Sequence, residues 1–208
     1  MTQRLFFNDD ATRCEVEVTH CAPHEDVFVV TLAATPFHPQ GGGQPSDTGW
    51  IGNSPVIKVV QEQDAIVHYV SLPVPTGRAQ AQVDEARRRL HARLHSAGHL
   101  IGVYGEQLGW VPTKAHHWPD ECRVSFVPGD NPQALEAEAV QHALEQWIGA
   151  DLPRHTRLDP QQRAISFGDL PGYPCGGTHV QSLAELGTVN VLSVSQKKGV
   201  LSVRYSLD

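Results

Sequence analysis

At 208 residues the chain is long enough for one large domain or two small ones, and a hydrophobic content of 40% suffices for a real core. A formal charge of −7 excludes a broadly basic nucleic-acid coat and leaves room only for local basic patches. The four cysteines, at 14, 21, 122 and 175, follow no disulfide-framework spacing.

The first ten residues lack the apolar core of a signal peptide, and no run approaches the ~18 apolar residues that span a membrane. The expectation is a cytoplasmic chain with no membrane partner. Eighteen Gly and fifteen Pro imply many turns, and so a β-rich portion. Short strands are predicted at 4–7, 14–19, 27–32, 50–51, 56–60, 65–70 and 78–83, separated by Asn8-Asp9-Asp10, Gly52-Asn53-Ser54-Pro55, Gln63-Asp64 and Pro73 to Gly77. Their even spacing predicts a small β-barrel over residues 1–83.

Asp84 reads as a helix N-cap, with Glu85 in the first turn. Leu90, Leu94, Ala97, Ile101 and Tyr104 recur at three- and four-residue steps, so the helix runs to about residue 108 and stops at Gly109. A strand over 121–127 ends at Pro128-Gly129. Asn131-Pro132 reads as the start of a second amphipathic helix carrying Leu135, Val140, Ala143, Leu144, Trp147 and Ile148. Strands follow at 153–158 and 164–167 around Asp159-Pro160, then a hairpin, 187–194 with 200–206, around Lys197-Lys198-Gly199. The fold class expected is α+β: an N-terminal β-barrel, then a two-layer α+β domain over 84–208.

Two segments carry metal-like spacing. His95 and His99 stand at i and i+4, so on a helix both imidazoles leave one face. Cys175 and His179 repeat that spacing in a Gly-Gly segment that can close tightly around an ion. Either pair alone is weak. Together they make a tetrahedral N and S donor set that suits Zn²⁺. Residue 96 is Ser, so the His-Glu-x-x-His protease pattern with its built-in carboxylate base is absent. If the site is hydrolytic, water activated by the metal and a substrate with a good leaving group, such as an activated ester, fit better than a peptide.

His95-Ser96-Ala97-Gly98-His99-Leu100 with Cys175-Gly176-Gly177-Thr178-His179-Val180 resembles the paired metal motifs of the alanyl-tRNA synthetase editing domain and of the freestanding AlaX family. The segment Thr35 to Gly49, with Gly41-Gly42-Gly43-Gln44 at its centre, resembles the glycine-rich motif that the longer AlaX members carry on an N-terminal barrel. The resemblance implies a zinc-dependent trans-editing hydrolase with His95, His99, Cys175 and His179 as ligands. Its substrate would be tRNA(Ala) mischarged with serine or, in some members, glycine. Ser96 stands where the synthetase often has Thr; its hydroxyl would face a seryl hydroxyl or the water. The glycine run itself reads either as a purely structural turn or as a loop serving the site, in which case Gln44 and Asp47 would line the cleft or contact the CCA end.

Arg87, Arg88 and Arg93 open the metal helix, and Lys197 and Lys198 mark the last hairpin; these five are the expected phosphate contacts. Trp110, His116, His117 and Trp118 are weighed between packing and stacking on terminal bases. The Gly41-Gly42-Gly43 loop lacks a P-loop ending, so an NTP site is set aside. Two rivals stay open: a tRNA-binding module with a structural zinc, and a zinc hydrolase of another small ester or thioester. No sequence feature sets the oligomeric state.

Overall fold

A computed structural model describes residues 1–159 and 162–208. Pro160, one half of the expected Asp159-Pro160 turn, lies outside the described residues. The chain forms two compact units: Met1–Gly41 with Pro45–Leu90, and Gly42–Gln44 with His91–Asp208. No described helix is long and apolar enough to cross a membrane.

The first unit is built from β1 (Gln3–Arg4), β2 (Arg13–His24), β3 (Val27–Leu32), β4 (Ala34–Thr35), β5 (Gly49–Ile51), β6 (Ser54–Glu62), β7 (Ala65–Val70) and β8 (Gly77–Val83). Leu5–Phe7, expected to be strand, is a 3-10 turn. Six strands pair in the closed cyclic order β2-β3-β7-β6-β5-β8, which leaves no free sheet edge in the barrel. Alternation drives this. On β2, Val16 and Val18 point inward while Glu15 and Glu17 are exposed. Val30, Leu32, Phe37, Ile51, Val59, Ile66 and Val70 fill the interior.

His68 is buried in this core. Its Nδ1–H donates to the Val30 carbonyl (3.1 Å), and Nε2 accepts from the Thr35 hydroxyl (2.8 Å). Burial pushes its pKa down from 6.5 to about 4, against a smaller raising effect of the Val30 carbonyl. The folded form therefore favours neutral imidazole, whereas the unfolded chain takes up the proton below its ordinary pKa. This contribution is complete above pH 6.5 and is lost as pH falls towards 4, about 3 kcal/mol in all. Denaturation between pH 7 and pH 4 is expected to show a steeper loss for the wild type than for His68→Gln; parallel curves would refute it.

Helix α1 (Glu85–Gln107) starts where the sequence places it, with Asp84 Oδ1 accepting the Arg87 N–H at 3.0 Å. The division between units falls later than residue 83, because the first turns of α1 bond within the barrel unit. Arg88 shows why. It is 7% exposed and its guanidinium lies against the buried Asp47 carboxylate, with a further bond to the Pro36 carbonyl at 2.6 Å. Asp47 also accepts the His38 N–H at 2.7 Å. Arg88 is therefore not a phosphate contact, and Asp47 does not line a cleft: each charge is desolvated and neutralised by the other.

The second unit contains the rest of α1, β9 (Trp110–His116), β10 (Arg123–Pro128), α2 (Ala137–Gly149), β11 (Arg154–Leu158), β12 (Arg163–Phe167), β13 (Tyr173–Pro174), β14 (Val189–Lys197) and β15 (Val200–Leu207). An antiparallel sheet runs β14-β15-β10-β9, and a three-stranded one runs β11-β12-β13. The class is α+β. Helix α1 lies directly on β10: a Cβ at Gly105 would meet the Phe126 ring at 2.3 Å. Leu94, Ala97, Leu100, Ile101, Val124, Phe126, Ile165, Leu183 and Val203 form the buried interior.

Two sequence expectations fail here. Strand β9 was not anticipated, since Pro112 interrupts its apolar run, yet the edge position tolerates a proline. Helix α2 begins at Ala137 and not at Asn131-Pro132. Asn131 adopts a left-handed φ of 55°, and Gln133 is tied down on both sides: its N–H donates to the Leu108 carbonyl and its carbonyl accepts from Trp110 Nε1.

Candidate metal centre

His95, His99, Cys175 and His179 converge. One donor atom from each lies within 4.8 Å of all the others. Cys175 Sγ is 3.5 Å from His95 Nε2 and 3.2 Å from His179 Nε2. Helix α1 supplies two imidazoles one turn apart. The loop after β13 supplies the other pair. A three-nitrogen, one-thiol set of this compactness fits Zn²⁺.

The loop is held by its backbone. Cys175 N–H donates to the Arg163 carbonyl (2.8 Å), and Arg163 Nη1 donates to the carbonyls of Cys175 (3.0 Å) and Gly177 (2.8 Å). Arg154 does the same for the His179 carbonyl at 2.8 Å. Gly177 N–H points at Cys175 Sγ (3.3 Å). Burial raises the Cys175 thiol pKa, and the Gly177 N–H and Arg163 pull it back. Burial first, then Arg163, lowers His99 to about 4; burial first, then His99 and Arg163, lowers His179 well below 6.5. All these effects leave neutral imidazoles, the form that ligates a metal.

Gln44 and Ser96 sit behind the ligands and do not face the cavity. Both are 0% exposed. Gln44 Oε1 lies 2.7 Å from His95 Nδ1 and also accepts the Thr178 N–H (3.1 Å), while Gln44 Nε2 donates to Thr178 Oγ1 (2.9 Å). An amide oxygen can only accept, so His95 carries its proton on Nδ1 and presents Nε2 to the metal. Ser96 Oγ lies 3.0 Å from His179 Nδ1 and accepts the Val180 N–H (3.2 Å), which positions the second imidazole. Both residues position ligands, and the expected contact of either one with substrate is corrected on this ground. Gln44→Ala is expected to weaken zinc binding about 10- to 100-fold with the fold retained. Competitive chelator titration measures it, and unchanged affinity would refute the assignment.

The glycine run brings Gln44 here. Gly42 and Gly43 have φ of 57° and 79°, and a Cβ at Gly43 would lie 2.4 Å from the Ala115 carbonyl oxygen. His117 N–H donates to the Gly43 carbonyl at 2.9 Å. These contacts account for the loop without a phosphate.

A cavity of about 280 Å³ opens beside the donors, reached by His95, His99, Cys175, Lys114, His117 and Tyr173. Among the described residues, no acidic side chain lines it. Tyr173 packs edge-on against His99, with centroids 5.4 Å apart, and its hydroxyl donates to Glu106. His117 was read only as a packing or base-stacking residue. It is 1% exposed and stacks on His95 at 4.3 Å and 22°. Burial, then His99 and His116, depress its pKa to about 3. Nothing in its spacing from the ligands announces this, because β9 brings it back alongside α1.

The remaining expected contacts are dispersed. Arg87 is exposed and its Nε donates to the Ser46 carbonyl (3.3 Å). Arg93 is half-buried, with Nε and Nη2 on the Leu186 carbonyl at 3.0 and 2.6 Å. Lys197 and Lys198 are exposed at the β14–β15 turn. Trp110 is buried, whereas Trp118 is 38% exposed and stacks on His116 at 5.7 Å and 4°.

The family profile described as the "Threonyl and Alanyl tRNA synthetase second additional domain" matches residues 163–202, the segment that carries Cys175 and His179. The alanyl-tRNA editing protein Aarsd1-B of Xenopus laevis is 29% identical over 90% of this chain and 54% of its own length. Aarsd1 of Mus musculus is 28% identical over 82% of this chain and 47% of its own. The chain is thus similar to alanyl-tRNA editing proteins over most of its own length. An alanine–tRNA ligase of Methanocella arvoryzae is similar too, at 26% identity over 86% of this chain and 24% of the ligase. The chain spans about half the length of the editing relatives that it matches.

Proposed function

We propose that this chain is a zinc-dependent hydrolase that acts in trans on tRNA(Ala) mischarged with serine, with glycine as a second acyl group. One observation carries the reading: three of the four candidate donors, His95, His99 and Cys175, line an open cavity. A zinc site that acts on a substrate must be reachable and needs one exchangeable position or expansion to five ligands. The names of the relatives supply the tRNA.

Zn²⁺ held by His95, His99, Cys175 and His179 would supply Lewis acidity towards the ester carbonyl and lower the pKa of a water. The chain's own residues do the rest. Gln44 holds the His95 imidazole in the ligating tautomer, and Ser96 positions that of His179. Arg163 and Arg154 fix the loop. Lys114 places a cation at the cavity, suited to the phosphate of a terminal nucleotide. Gly176 N–H is a candidate donor to the developing oxyanion; Gly177 N–H is already spent on Sγ. Arg87, Lys197 and Lys198 remain exposed for phosphate, and Arg93 contributes less, being engaged by Leu186. The partner implies a cytoplasmic location.

The test is deacylation of Ser-, Gly- and Ala-tRNA(Ala), with and without a chelator. Acceleration on Ser-tRNA(Ala), abolished by chelation and restored by Zn²⁺, is expected. No acceleration on any of the three would overturn the reading.

A further inference from the structure

We infer that His117 Nε2 is the hydrogen-bond acceptor that recognises a side-chain hydroxyl on the bound acyl group, making His117 a specificity-determining residue. The inference rests on the hydrolase reading above. Tyr205 has one proton to give, and it goes to the Leu94 carbonyl at 2.9 Å. The 2.6 Å contact between Tyr205 Oη and His117 Nδ1 therefore needs the proton on Nδ1. Nε2 is left with a lone pair, on a ring that lines the cavity and is 1% exposed, and it makes no hydrogen bond among the described residues.

The ring is held there at a cost. A Cβ at Gly98 would lie 2.3 Å from His117 Cε1 and 2.8 Å from Tyr205 Oη. A glycine in a helix interior costs about 1 kcal/mol relative to alanine. On the opposite side, a Cβ at Gly43 would lie 3.3 Å from His117 Cδ2 and 2.4 Å from the Ala115 carbonyl. Two glycines thus clear the space that this imidazole fills.

The chemistry of the lining selects the donor. Lys114 is present and no carboxylate is, so an ammonium buried against His117 would have no counter-charge. A neutral hydroxyl meets no such penalty. On an aminoacyl-tRNA the acyl group is the end that enters first, and it reaches the buried nitrogen before the ribose does. Of the other polar groups on the lining, the Thr113 and Tyr173 hydroxyls donate to the Ser125 carbonyl and to Glu106, while Ser96 and Gln44 lie behind the wall on His179 and His95. A site that offers a buried acceptor discriminates against an analogue lacking the hydroxyl, because the acceptor is then left unpaired.

The probes are the seryl and alanyl amides of 3'-amino-3'-deoxyadenosine, which resist hydrolysis. The zinc-loaded wild type is expected to bind the seryl amide at least about tenfold more tightly. His117→Asn retains a donor for Tyr205 but withdraws the Nε2 acceptor, and should erase that preference. His117→Gln extends an acceptor to the same place and should restore part of it. In deacylation, His117→Asn should lower the Ser-over-Gly ratio of kcat/KM at least about tenfold, with zinc content and Tm recorded alongside. Equal binding of the two amides by wild type, or equal loss on both tRNAs in His117→Asn, overturns the assignment. Failure of wild type to deacylate any tRNA would refute the hydrolase reading instead, and the amide comparison would still decide His117.

Discussion

Cys175→Ala is expected to abolish zinc retention and to lower deacylation of Ser-tRNA(Ala) at least about a hundredfold, beyond what loss of a group behind a ligand costs, while leaving the protein folded. The reason is that the loop does not depend on the thiol for its shape. The Cys175 backbone is clamped through its N–H on the Arg163 carbonyl and through its own carbonyl on the Arg163 guanidinium. Removing Sγ takes away one donor and the acceptor of the Gly177 N–H, and leaves both of these bonds. Metal analysis after dialysis, far-UV circular dichroism and thermal denaturation, read beside the kinetics, check it. An unfolded Cys175→Ala protein would favour the rival in which zinc is only structural. A variant that is folded, metal-free and fully active would remove zinc from the chemistry.

Gly177→Ala should damage the site from the opposite direction, by adding one carbon. Its Cβ would lie 2.1 Å from His95 Cε1, 2.3 Å from His95 Nδ1 and 3.0 Å from Gln44 Oε1. None of these can yield easily. His95 is fixed on α1, and Gln44 holds both its imidazole and the Thr178 N–H. The Gly177 carbonyl is held by Arg163. Overpacking at such a point costs about 3 kcal/mol. The strain falls on the His95–Gln44 bond, so zinc affinity should drop together with stability. Chemical denaturation with and without zinc separates the two effects. A Gly177→Ala protein with wild-type stability and metal binding would show that the loop is looser than its contacts imply.

The four ligands were legible in the sequence because each pair repeats a local period, i and i+4, that either helix or tight loop converts into a shared direction. The barrel strands were legible for a similar reason: alternation such as Glu15-Val16-Glu17-Val18 survives any tertiary context that buries one face. The N-cap at Asp84 is a bond across three residues, and it formed where expected. Where the reading failed, a distant partner had intervened. Asn131-Pro132 carries a helix-start signal, but Leu108 and Trp110 hold the next residue, Gln133, in an irregular segment. Arg88 belongs to a basic run, yet Asp47, 41 positions away, takes it out of solvent. Ser96 and Gln44 were picked out as polar groups near the ligands, and their hydroxyl and amide turned inward.

By itself, then, the sequence determined the candidate ligand set, the barrel and helix periods and the resemblance to editing proteins, since all of these rest on residue types at short, regular separations. Only the tertiary structure decided which polar groups serve the ligands and which serve the cavity. That division depends on packing between segments 19 to 111 residues apart: Gln44 on His95, His117 over Gly98, Tyr205 between Leu94 and His117. Hydrogen-bond direction and burial are properties of such contacts, and no local period encodes them.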